Sequence, residues 1–158
     1  MAPGGKDRWW RRLFGTRSVA ALDPARGDLV VVASCFDDAE AASTTLDRAE
    51  QSDPRWSRDA QVLLRHHLVL PSHTIDDAVA VAAQDGYSRA EPDSEVTDSV
   101  APIVGGVPLV LQRVQVLDAL HCSQERSRMA GLAQRRDGVV SGWDALQPAA
   151  ATGEQSRS

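Results

Sequence analysis

Aromatic side chains are scarce in this chain: four Trp, two Phe and one Tyr make up 4% of its 158 residues. The core must therefore be built mainly from Val, Leu and Ala. Cysteine is nearly absent, with only Cys35 and Cys122, far apart in the sequence. That argues against a disulfide and for two free thiols buried in a strand and a helix. Lysine occurs once, at Lys6; the other basic residues are Arg, which reads as the codon usage of a GC-rich bacterial genome. No apolar run approaches transmembrane length. The leader has charge but no apolar stretch before a small-residue cleavage site, so it does not read as a secretory signal, and a cytoplasmic location is expected.

What is present is ordinary globular material, 42% hydrophobic and 25% charged, in a length that makes one domain plus tails. The net charge of -5 is unevenly spread. Residues 1–17 hold five cations against Asp7, a net +4, so the remainder carries about -9. An acidic body disfavours direct binding of nucleic acid, whose phosphates it would repel, and suits a basic protein partner.

Along the chain, residues 1–27 form a basic, aromatic leader and linker. Trp9, Trp10, Leu13 and Phe14 would span about 140° of a helix with Arg8, Arg11 and Arg12 opposite, the composition of a weak peripheral membrane contact. The shortness of the segment and its Met1-to-Gly5 start favour a disordered leader instead. Residues 28–61 give an additional strand-helix unit. Its β-branched run Leu29-Val30-Val31-Val32-Ala33 suggests a strand covered on both faces, and Asp37 with Glu40 has capping-box spacing before a helix lined by Ala42, Leu46 and Ala49. Residues 62–146 then hold two strand-helix-strand units. The first has a strand over 62–70, in which Val62, Leu64, His66, Leu68 and Leu70 share one face. A helix with a stripe from Ile75 to Ala83 follows, closed by a left-handed Gly86 with Tyr87 packed behind it. The second has a strand over 109–116, a helix capped by Asp118 and closed by Gly138, and a last strand over 139–143. That order predicts an α+β fold, a ferredoxin-like α/β sandwich (βαββαβ) with an extra N-terminal β-α unit. Residues 147–158 read as a disordered tail.

With the motifs placed, the chain resembles the family of regulators of ribonuclease E activity B (RraB). The likeness lies in the adjacent histidines of His66-His67-Leu68, in Gly86-Tyr87 followed by the acidic turn Glu91-Pro92-Asp93, and in Gly142-Trp143 ending a strand. It covers residues 62 to 146. Ser141 stands where the family often has Asp, and the tail lacks the strongly acidic character of well-known members. The resemblance implies a ferredoxin-like fold without catalysis that binds an endoribonuclease of the E/G type, or its complex, and modulates its activity, with inhibition the expected sense. The runner-up is a small-ligand-binding or sensory ferredoxin-like domain, which a pocket lined by His66, Leu68 and Trp143 would favour.

Catalysis and metal binding find little purchase. His66 and His67 point to opposite sheet faces and cannot readily share an ion; His73 and His121 lie on other elements, so neither a metal nor another cofactor is expected. His121 and Cys122 diverge by about 100° on a helix, which leaves Cys122 to pack and His121 to face solvent. An enzyme using Cys122 or His66 is the third reading. The acidic run of Asp76, Asp77, Asp85, Glu91, Asp93, Glu95 and Asp98 against Arg89 sums to -6. It is either a solvated face or a surface that steers a basic segment of a partner. Asp76, Asp77, Asp85, Glu91, Asp93 and, as an aromatic anchor if exposed, Trp143 are the candidate partner contacts.

Overall fold

A computed structural model describes residues 19–93 and 103–149. Its elements run β1 (Leu29–Cys35), α1 (Ala42–Ala49), β2 (Gln61–Pro71), α2 (Ile75–Ala83, entered through a short 3-10 turn), β3 (Ser88–Ala90), β4 (Gly106–Val116), α3 (Ala119–Gln134) and β5 (Val139–Pro148). The fold is mixed α+β: a five-stranded antiparallel sheet of order β1-β5-β2-β4-β3 with three helices.

β2 lies at the centre, paired with β4 on one side and β5 on the other. Its period-two pattern sends Val62, Leu64, Leu68 and Leu70 into the helix-covered core. The opposite face is also closed: Leu63, Arg65, His67 and Val69 are buried too. β1, by contrast, is an edge strand. It pairs with β5 alone and leaves Val31 and Ser34 exposed, so the expected cover on both faces is absent; its hydrophobic run is interrupted by a bulge at Val31/Ala33. The N-terminal β-α unit thereby belongs to the same sheet as the rest. β5 runs on to Pro148, beyond the expected end at Trp143, because Ala145 and Leu146 continue the ladder with β2 and β1.

All three helices lay apolar stripes on one sheet face. Ala42, Leu46 and Ala49 of α1 join Val62, Leu64, Trp143 and Ala145 in one core cluster. Ile75, Ala78 and Ala82 of α2 join Leu68, Leu70, Leu109 and Leu111 in a second. α3 bridges both, giving Cys122 to the first and Met129, Leu132 and Ala133 to the second.

The helix ends follow local chemistry with two departures from expectation. Asp118 caps α3 by accepting from the His121 N–H at 2.8 Å. Gly86, at φ 82°, closes α2, and the Tyr87 N–H reaches back to the Ala82 carbonyl. At α1 the capping box does not form: Ala41 holds the cap position, Asp37 turns onto the Ala39 N–H, and Glu40 is taken by Arg48 and Thr45. After α3 the left-handed residue is Asp137, at φ 56°, rather than Gly138. Gly138 is instead held by space, since a Cβ there would lie 2.6 Å from the Val69 carbonyl oxygen.

Candidate functional site

The two apolar clusters meet at His66, which sits on β2 between Leu64 of one and Leu68 of the other. His66 is 0% exposed. Its Nε2 lies 3.4 Å from the Tyr87 hydroxyl, and the two rings meet edge-on at 5.7 Å. Tyr87 donates its own proton to Glu125 Oε2 at 2.5 Å. Glu125 is a buried carboxylate on the inner stripe of α3. Burial pushes its pKa up, but the Tyr87 hydroxyl, Arg113 at 3.1 Å and Arg128 outweigh it, and the net shift is downward. Arg113 also lies over the Tyr87 ring, 4.6 Å from its centroid. Burial and the bond to Glu125 together drive the Tyr87 pKa upward.

These contacts fix the protons. The Tyr87 hydroxyl hydrogen is committed to Glu125, so its oxygen can only receive one from His66 Nε2. Desolvation lowers the His66 pKa to about 4, which leaves the ring neutral near pH 7. A neutral ring with its hydrogen on Nε2 presents Nδ1 as a bare acceptor.

That Nδ1 has no hydrogen-bond partner, and neither do Trp143 Nε1 and Ser141 Oγ. All three residues line one cleft of about 340 Å³, between α3, β5 and the segment after β1. Trp143 is the cross-strand partner of His66. Ser141 is the extra residue of a β-bulge: His67 pairs with Gly142 and Leu68 with Val140, so Ser141 drops out of the ladder. Gly142 permits the close approach of β5 to the end of β1, because a Cβ there would lie 2.5 Å from the Cys35 carbonyl oxygen. Each unpartnered buried polar group costs about 1–3 kcal/mol, and three of the four such atoms among the described residues belong to residues that line this cleft. The fourth, Trp56 Nε1, lies away from this cleft.

Two other members of the cleft lining, Arg126 and Cys35, hold backbone carbonyls. Arg126 donates to the backbone carbonyls of Glu40, Asp37 and Asp38. The Cys35 thiol donates to the Asp37 carbonyl at 3.0 Å. Ser141 and His66 make no hydrogen bond to each other, so they form no nucleophile-base pair.

The opposite face of the same strands carries a contrasting cluster. Arg65 makes two parallel 2.7 Å bonds to Asp144, whose Oδ2 also meets His67 Nε2 at 3.0 Å. Burial raises the Asp144 pKa, but the bonds from His67 and Arg65 outweigh that and hold it low. Asp93, past β3, adds an ion pair to Arg65 at 2.9 Å.

The sequence-predicted residues are dispersed. Asp77 pairs with Arg136 and Asp85 with Arg128, each at 2.7 Å, and Asp93 pairs with Arg65. The acidic run is thus partly neutralised, although Asp76 and Glu91 are exposed. Trp143, at 1% exposure, is not a surface anchor; it belongs to the core and to the cleft wall. Trp9, Trp10, Leu13 and Phe14 lie outside the described residues, as do Glu95 and Asp98. Cys122 is buried, and desolvation raises its pKa to about 12, so it stays a thiol. His121 is exposed and bound to Asp118. Among the described residues no group of three or more His, Cys, Asp or Glu could hold a metal ion, and no helix is long and apolar enough to cross a membrane. The residues that sequence reasoning missed are Glu125, Arg113, Arg65 and Asp144. Each is a polar side chain whose partner is distant in sequence, and nothing local marks it.

No family model matches the chain, and no curated protein or solved structure matches it either.

Proposed function

We propose that this chain is a non-enzymatic regulatory domain of ferredoxin-like type that acts by binding a protein partner, with an endoribonuclease of the E/G kind as the partner named by the RraB resemblance. One observation carries this reading. The three short motifs behind the resemblance, remote in sequence, converge on one place: His66 touches Tyr87 of Gly86-Tyr87 and pairs across strands with Trp143 of Gly142-Trp143. The fold reading is supported by the order β5-β2-β4-β3 within residues 61–148, with helices following β2 and β4. β1 is then an addition outside β5.

The surface that would steer such a partner is smaller than the acidic run suggested, since Asp77, Asp85 and Asp93 each hold an arginine. Asp76 and Glu91 are its exposed members within the described residues. The test is direct binding of the full chain to the E/G-type endoribonuclease of the same genome, measured by interferometry, with cleavage of a short RNA as a second readout. Binding and slowed cleavage are expected, and Asp76→Lys with Glu91→Lys should weaken association several-fold, mainly through the on-rate. Absence of binding at micromolar concentrations would remove this partner class.

A further inference from the structure

We propose that the cleft at His66, Ser141 and Trp143 binds a small neutral molecule that presents a hydrogen-bond donor beside an acceptor, such as a carboxamide, a lactam or the edge of a nucleobase. The geometry sets this class. His66 Nδ1 needs a donor, because the Glu125–Tyr87–His66 chain leaves that nitrogen as a lone pair. Trp143 Nε1–H needs an acceptor, and it sits on the strand position directly opposite His66. The acceptor and the donor of the cleft are therefore neighbours on one face of two paired strands. A ligand that satisfies both must carry a donor and an acceptor together. Ser141, turned out of the ladder by its bulge, can serve as donor or acceptor to a further group.

Charge narrows the class. An anion would meet Asp37 and Asp38 in the cleft lining, and Arg126 there already donates to three backbone carbonyls. A cation could donate to His66 but could not accept from Trp143. A purely apolar molecule would leave all three polar atoms unmatched, and burying them further would be unfavourable. A neutral donor-acceptor pair suits the site, and Val140 and Ala130 supply an apolar wall for its body. His66, Ser141 and Trp143 stand on strands rather than on loops, and Glu125 and Tyr87 hold the His66 ring. Binding of this kind does not depend on whether a protein partner is regulated.

The experiment is a titration of the full chain, labelled with nitrogen-15, with nicotinamide and uracil as probes and with benzoate and toluene as the anionic and apolar controls. The Trp143 indole signal is assigned by its loss in Trp143→Phe. Nicotinamide or uracil should shift that signal saturably, while benzoate and toluene leave it in place. His66→Phe, which keeps a ring and removes the acceptor, should weaken binding about tenfold. Ser141→Ala, a small change outside the ladder, should weaken it about threefold and serves as the deciding variant if His66→Phe does not fold. The proposal is overturned if neither probe moves the Trp143 indole signal at millimolar concentration, or if benzoate or toluene moves it as much. It is equally overturned if both folded variants bind as the parent does, which would reduce the cleft to a solvent-filled groove.

Discussion

His66 and His67 are neighbours in sequence and opposites in chemistry. Both are buried, at 0% and 4% exposure. The two-residue period of β2 sends His66 toward the helices and His67 to the other face. His67 meets a carboxylate that is also gripped by Arg65, so every member of that group has a charged partner. His66 meets a phenol and apolar side chains, stays neutral, and leaves one nitrogen unmatched beside two other unmatched donors. A satisfied polar network fixes register and ties strands together. An unsatisfied one beside a cleft is unfavourable for stability and is explained by what could occupy the cleft. The comparison separates the polar groups that hold the sheet from those that make a site.

The strongest way to break the comparison is on the satisfied side. Asp144→Asn leaves Arg65 and His67 buried without their shared carboxylate, and only Asp93 remains to face Arg65. A buried pair broken by loss of one member costs about 3–5 kcal/mol. Urea unfolding should show a midpoint lowered accordingly with an unchanged slope. A loss below about 1 kcal/mol would show that the cluster does not hold this face, and the two histidines would no longer differ in role.

Acid tests the unsatisfied side. The His66 pKa is about 4 in the folded chain, against 6.5 for an ordinary imidazole, with desolvation the largest cause. The unfolded chain therefore binds the proton first. The stability linked to His66 is whole above about pH 6.5 and is lost as pH falls toward about 4, by about 3 kcal/mol in all. The lowered pKa values of Asp144 and Glu125 act in the same direction, but only below the ordinary carboxylate range. Stability between pH 6.5 and pH 4 should thus fall in the parent and stay flat in His66→Phe. A parent profile that is flat over that window would show that the nearby Glu125 carboxylate offsets the desolvation of His66.

Much of this contrast is visible in the chain. Alternation along 62–70 separates the two histidines, Gly86-Tyr87 marks the end of α2, and Asp118 marks the start of α3. These are local signals, set by a two- or four-residue geometry. What could not be read depends on distance. Arg65 and Asp144 are 79 residues apart. β5 hides its length because Asp144 and Gln147 interrupt the apolar pattern while being buried. β1 joins the sheet through backbone pairing that its own residues do not specify, and its hydrophobic run misleads because an edge strand can carry one. Glu40 failed as a cap because Arg48 and Thr45 hold its side chain. The bulge at Ser141 has only Gly142 beside it as a hint, and a glycine in a strand has several meanings.

The smallest expected effect sharpens the comparison most. Tyr87→Phe removes one hydroxyl that accepts from His66 and donates to Glu125. Glu125 keeps Arg113 and Arg128, so its charge remains balanced. The His66 Nε2–H loses its acceptor, and nothing then favours that nitrogen over Nδ1 as the protonated one. The stability cost should be about 1 kcal/mol, the net value of one hydrogen bond. Nitrogen-15 imidazole shifts should report a single tautomer for His66 in the parent and a mixture in the variant. His67 should not change, because its tautomer is set by Asp144 on the other face. If the His66 shifts stay where they were, Tyr87 does not govern which nitrogen faces the cleft, and the donor-acceptor order assigned to its ligand must be reversed or abandoned.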